Sequence, residues 1–294
     1  MAKHSVVLKT VVILAVFSCF TCSQNGSFFA DSSELTAFQQ DIMGVLTGYT
    51  EVSPGVQLAN RYTIENKKAA RDYLAALFID MGYAAERHSY SENGENIYAV
   101  LNATVPGDEH IVLGAHYDTI RDCPGANDNA SGVVTVITIA KELLKVKQRS
   151  KHVIFVLFDE EERGLVGSRF FAQKLKDDGI KVHSVHTIDQ LAWDEDGDRA
   201  IELEIPYEGS VELYQQAVRQ LEDSLQIHIT QTRGSDHSSF RRLEFPSVGI
   251  TEEYRNSDTT PHYHKATDTY ETTNFDFLYS STRLVGEVMS ILLK

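Results

Sequence analysis

The sequence predicts a single α/β domain with a mixed, mostly parallel central sheet and helices on both faces. Short apolar runs of strand length alternate with amphipathic segments of helical period. No internal repeat, low-complexity linker or shift in composition interrupts that alternation across residues 30–294. The size also fits, because 294 residues, 42% hydrophobic and 23% charged, are enough to bury one large core.

The first helix is expected over 33–47, where Leu35, Phe38, Ile42, Val45 and Leu46 recur at helical spacing. A second is expected over 64–81, with Tyr73, Leu74, Leu77, Phe78 and Met81 on one face and Gly82 as its stop. Residues 88–105 read as two strands around an Asn-Gly turn. HIVLGA (110–115) is a short buried strand, and 131–146 form a helix behind it. HVIFVLFD (152–159) is the most apolar strand, followed by a helix that begins at GSRFFAQKL. Strands are expected at 182–189 and 199–206, an amphipathic helix at 211–225, a strand ending 245–253 and a closing helix at 274–293.

The first 22 residues stand apart from this pattern. Lys3 and Lys9 precede an apolar stretch from Val11 to Phe20, the order of a secretory signal and too short to span a bilayer. Export to the periplasm or the extracellular space is therefore expected, without stable membrane insertion. Cys19 and Cys22 close the segment. They read as ordinary thiols of a discarded peptide; the alternative is a lipid anchor on one of them, although the residues before each fit that pattern poorly. Beyond them only Cys123 remains, so no internal disulfide is expected. The formal charge of −15 argues against nucleic acid or an anionic lipid surface as a partner.

In parallel sheets, ligands bind beyond the carboxyl ends of the strands. Those ends carry the chemistry here. His116 and Asp118 follow the strand 110–115, the run FDEEERGLVGS (158–168) follows the next, and Asp189 ends the strand 182–189. Each piece alone is weak: an H-x-D is commonly a surface pair, and an acidic run is commonly a solvated loop. Together they place imidazole and carboxylates at one sheet edge, where the carboxylates would repel each other unless a cation gathered them. Imidazole with carboxylate suits zinc.

The sequence resembles the co-catalytic zinc aminopeptidases of metallopeptidase family twenty-eight, clan MH. The matching stretches are GAHYDT (114–119), PGANDNASG (124–132), FDEEERGLVGS (158–168), Asp189, SDHSSF (235–240) and YHKATDT (263–269), in the family's order. The resemblance implies two zinc ions per chain, peptide substrates with a free N-terminus, and hydrolysis by a water shared between the metals. It implies His116, Asp128, Glu162, Asp189 and His264 as metal ligands, with Asp128 bridging. Asp118 would orient His116, and Glu161 would be the general base. Gly164, Leu165, Gly167 and Ser168 set that register, which leaves Glu160 as a bystander. Tyr263 would donate to the developing oxyanion, or serve only as a packed aromatic. His262 competes with His264, but the spacing YH-x-x-x-D-T favours His264. Asp236 and His237 are not assigned to metal.

Glutaminyl cyclases share much of the constellation, but they use one zinc and carry a tryptophan before the last histidine, where this chain has Tyr263. Dipeptidases and carboxypeptidases of the fold usually carry additional domains, and no room for a large one is expected in this chain. A non-catalytic module would show gaps among the ligands, and none is seen. Asn102 and Asn129 match the glycosylation pattern; both read as chance, since a glycan on Asn129 would block the site.

Overall fold

The computed structural model describes residues 29, 32–221, 224–254 and 258–294. The leader and its two cysteines lie outside the described residues. After helix α1 (Ser32–Leu46), a small hairpin pairs β1 (Glu51–Ser53) with β2 (Val56–Gln57). Helix α2 (Ile64–Asp80) starts at Thr63, whose hydroxyl accepts from Asn66 N at 3.2 Å. It stops at Gly82, where φ of +91° suits a residue without Cβ.

The remaining strands are β3 (Glu86–Ser89), β4 (Glu95–Leu101), β5 (Glu109–His116), β6 (His152–Phe158), β7 (Lys181–Ile188), β8 (Ala200–Glu204), β9 (Gln226–Thr230) and β10 (Ser247–Glu252). They form one eight-stranded sheet in the order β3-β4-β6-β5-β7-β10-β8-β9. Pairs β6–β5, β5–β7, β7–β10 and β8–β9 are parallel; β3–β4, β4–β6 and β10–β8 are antiparallel. The mixed sheet expected from the alternation is thus present, with β6, the most apolar strand, buried between β4 and β5.

Helices α1, α2, α3 (Ser131–Leu143), α5 (Ser210–Leu221) and α7 (Phe275–Leu293) build the larger core on one face. Helices α4 (Val166–Asp177) and α6 (His237–Arg241) cover the other, where Phe171, Leu175 and Phe240 meet Val112, Val156 and Phe158. Asn274 caps α7 by accepting from Phe277 N at 3.0 Å. Among the described residues, no helix is long and apolar enough to cross a membrane.

Three elements escaped the sequence reading: the β1–β2 hairpin, β9 and α6. The hairpin is mostly exposed and β9 is a half-exposed edge strand, so neither needs a long apolar run. In α6, Ser238 and Ser239 are buried beside Phe240, so its buried face carries no hydrophobic period.

Candidate metal centre at the carboxyl edge of the sheet

Strands β6, β5 and β7 are neighbours, all parallel, with His116 beside Phe158 and Ala115 beside Ile188. Their carboxyl ends therefore lie level, and the three loops leave the sheet together. This brings the five expected ligand residues into two groups. His116, Asp128 and Asp189 form one; Asp128, Glu162 and His264 form the other, with the ligand atoms of each within 4.8 Å of one another. His116 Nε2 lies 3.3 Å from Asp128 Oδ1 and 3.4 Å from Asp189 Oδ1. His264 Nε2 lies 3.2 Å from Asp128 Oδ2 and 3.1 Å from Glu162 Oε2. Asp128 thus turns one oxygen to each group, the geometry of a carboxylate placed between two cations.

The loop around Asp128 is held by buried polar contacts that leave the Asp128 carboxylate itself free for the two groups. Asp268 accepts from Asn127 N at 2.8 Å and from Asp128 N at 3.0 Å. The fully buried Arg61 donates to the carbonyls of Leu46, Tyr117, Pro124 and Gly125, which pins the loop from behind. Asn129 is wholly buried; its amide donates to Ile188 O and accepts from Gly132 N and Gln190 N. That nitrogen is committed to the strand end, which leaves no room for a glycan. The same hydrogen bonds tie the Asp128 loop to the end of β7.

Asp118 sits between the groups and the acidic run. Its Oδ1 lies 3.5 Å from His116 Nδ1 and accepts from Glu161 N at 3.0 Å, while Oδ2 accepts from Glu162 N at 3.3 Å. One carboxylate therefore positions both the imidazole and the two glutamates. The three neighbouring glutamates diverge. Glu162 joins the His264 group. Glu161 lines a cleft of about 160 Å³ beside both groups. Glu160 instead pairs with Lys67 and Arg163, each at 3.1 Å, and accepts from Tyr90. It is more than a bystander structurally, because Lys67 is 98% buried and, among the described residues, its ion-pair partners are Asp159 and Glu160.

The crowding shows in the protonation of the side chains. Burial, together with Asp189, Asp236 and Asp118, pushes Glu161 up to about 10 against the pull of His116. Hydrogen bonds to Asp128 and Glu162 raise His264 to about 10. Burial alone would depress His116, yet Asp189 and Glu161 hold it well above its ordinary value. Burial would raise Asp128, but its bonds to the two histidines keep it far below the usual carboxylate range. Two protons on imidazoles and one on Glu161 thus stand where a divalent pair would balance the same carboxylates. The donor set fits: two imidazoles and three carboxylates, arranged as two groups joined through Asp128.

Other expectations resolve on position. His262 lies away from both groups, bonded to Thr267 Oγ1 at 2.9 Å and packed edge-on against Trp193. Tyr263 stacks on His264, with ring centroids 3.8 Å apart, and lines the cleft. Burial and the nearby carboxylates raise its pKa, so the phenol stays a donor. Cys123 is buried, belongs to neither group and has its thiol pushed up to about 12 by burial and Asp268. His186 is satisfied by Tyr214 and Ser184.

Sequence reasoning missed Gln190, Glu204 and Tyr254, which share the cleft with Glu161. Gln190 adjoins a ligand position, which was a usable signal. Glu204 ends β8, a strand far from the acidic motifs in sequence, and only the pairing β7–β10–β8 brings it near. Asp236, left unassigned from sequence, is fully buried beside Glu161, and burial lifts its carboxyl to about 7.

A parallel-strand edge that gathers two imidazoles and three carboxylates around one shared aspartate defines an α/β protein built to hold metal. The chain belongs to Peptidase family M28, whose family model matches residues 96–289. It is 30% identical over 254 residues to a probable leucine aminopeptidase of Trichophyton verrucosum, a match covering 80% of this chain and 66% of that one. The chain thus spans slightly less than two thirds of that relative. In fold it is similar to the LapA aminopeptidase of Legionella pneumophila, with a TM-score of 0.74 at 20% identity over 90% of this chain and 75% of that one. It is also similar to the glutaminyl cyclase of Porphyromonas gingivalis, with a TM-score of 0.70 at 18% identity over 91% of this chain and all of that one.

Proposed function

We propose that this chain is an exported zinc aminopeptidase that hydrolyses the first peptide bond of peptides with a free N-terminus. The observation that carries the reading is the pair of ligand groups sharing Asp128, with Glu161 beside them in one cleft. His116, Asp189 and one oxygen of Asp128 would hold one zinc; Glu162, His264 and the other oxygen would hold the second. Bound there, the two ions supply an acidified water and polarise the scissile carbonyl.

The chain's own residues do the rest. Glu161, free of the ligand groups, takes the proton of the attacking water at its carboxylate and returns it to the leaving amine. Asp118 keeps His116 oriented through Nδ1. The phenol of Tyr263, beside His264, donates to the oxyanion as it forms. The acidic lining draws in the substrate's ammonium. The basic, then apolar, first residues support export.

A panel of aminoacyl fluorogenic amides, with N-acetylated versions as controls, tests this. Free N-termini should be cleaved and blocked ones spared. Exhaustive 1,10-phenanthroline should abolish turnover, and zinc should restore it. Full activity in verified metal-free protein would overturn the reading. The whole-length likeness in fold to a glutaminyl cyclase makes that activity the rival. Peptides beginning with glutamine separate the two: free glutamine marks the peptidase, and ammonia with pyroglutamyl peptide marks the cyclase.

A further inference from the structure

The cleft beside the metal groups is unusual for a leucine pocket. Beyond the site residues, it is lined by Gln190, Glu204, Thr232, Gly234, Ser235 and Tyr254. Among the described lining residues none is Ala, Val, Leu, Ile or Met, and Tyr254 and Tyr263 bring the phenol rings. Two polar atoms there lack partners. Gln190 Oε1 and Ser235 Oγ are buried without a hydrogen bond, although Gln190 Nε2 is engaged by Tyr254. Both residues are at least 95% buried.

Glu204 supplies the carboxyl group, which burial, Asp189 and Glu202 push up to about 8, so a cation set beside it would favour its ionised form. Strand alternation places it on the sheet face that carries Asp189, two strands away across Gly249. Gly249 is what makes room: a side chain there would collide with Glu204 Oε2 and His237 Nδ1. The nearest basic group is His237, with Nδ1 3.3 Å from Glu204 Oε2. Burial pulls that imidazole down to about 4, so it gives Glu204 no positive partner at neutral pH. Among the described residues no lysine or arginine lines the cleft; Arg233, between two lining residues in sequence, is exposed and outside the lining.

Resting on the aminopeptidase reading, we infer that this cleft selects a basic first residue, lysine or arginine, whose cation is received by Glu204 with Gln190 and Ser235. A leucine side chain would strip water from these acceptors and return no hydrogen bond. An ammonium or guanidinium brings only donors, which is what an acceptor-lined pocket lacks. Its methylene stem can lie along the two tyrosine rings while the charge reaches the carboxylate.

Norleucine is lysine without its ammonium, so the pair isolates the inferred contact. Two measurements on the zinc-loaded full chain are needed: kcat/KM for lysyl and norleucyl anilides, and calorimetric binding of free lysine and norleucine. Lysine should be favoured roughly 10- to 100-fold in both, the scale of one charge-assisted hydrogen bond. Glu204→Gln should shrink that ratio at least tenfold. Norleucine equal to or better than lysine in both measurements overturns the inference. Equal weakening of the two ligands by Glu204→Gln also overturns it, since Glu204 would then be holding the α-ammonium that both share. Should the variant fail to fold, the wild-type ratios decide alone. If no anilide is cleaved but lysine still binds in preference, the aminopeptidase reading falls and the cleft assignment stands. If anilides are cleaved with norleucine preferred, the reverse holds.

Discussion

Replacing each of the three neighbouring glutamates by glutamine separates three roles within three residues. Glu161 lines the cleft outside both ligand groups, so Glu161→Gln should fold and keep its zinc. It should lose about 10²–10⁴-fold in turnover, the worth of a positioned general base, or roughly 3–5 kcal/mol of barrier. Glu162 lies 3.1 Å from His264 in one group, so Glu162→Gln should weaken that zinc site, and its activity should partly return at high zinc. Glu160→Gln should do neither. Its carboxylate shares the buried Lys67 with Asp159, which lies 3.0 Å from the ammonium. Breaking a buried pair outright costs about 3–5 kcal/mol; with Asp159 still in place, about 1–3 kcal/mol is expected. That corresponds to a Tm lower by roughly 2–10 °C at normal turnover per folded molecule. Zinc content by mass spectrometry of the metal, steady-state rates and thermal unfolding would be read on all three variants. A Glu160→Gln protein that is dead, metal-replete and of normal Tm would refute the register, and the roles would shift by one residue.

Zinc binding at pH 7.5 should release protons. The metal-free site holds His264 and Glu161 protonated, both raised to about 10, and these protons must leave before the metal is balanced and the base is free. Zinc affinity should therefore rise with pH across the neutral range, and calorimetry in phosphate and in Tris should differ by the buffers' ionisation heats; identical heats would contradict it. Asp268→Asn should lower zinc affinity at least tenfold, because Asn127 N and Asp128 N bond to different oxygens of Asp268 and an amide turns one of them into a donor; an unchanged titration would show that the loop holds itself. Cys123→Ser should retain both zinc and activity, since the thiol is buried and outside the ligand groups; loss of both would expose a missed ligand. Tyr263→Phe keeps the stacking on His264 and should keep zinc content while lowering kcat about tenfold or more; unchanged kcat would leave the ring a packing role only.

Much of the architecture was legible because burial writes itself into local pattern. Strand β6 is apolar from Val153 to Phe158 because both its faces are covered there, and α2 and α7 show their buried stripes at helical spacing. The short elements were not legible. Strand β9 is a half-exposed edge and α6 buries serines, so neither needed a hydrophobic signature.

The ligand types, their order and their places at strand ends were likewise set out in the chain itself, since His116, Glu162 and Asp189 each follow an apolar strand. What the sequence alone determined was therefore which residues could meet metal. Which oxygen of Asp128 faces which partner, that His262 turns to Thr267 and Trp193, and that Glu160 turns back to Lys67 were decided only by the tertiary structure. So were the supports from Arg61 and Asp268, which reach the Asp128 loop from 63 and 140 residues away in sequence. The cleft acceptor Glu204 also depends on the strand order β7–β10–β8, which no local pattern encodes. The physical reason is that hydrophobic period is a property of neighbours along the chain, whereas a polar site is closed by directional contacts between groups that only the folded sheet makes neighbours.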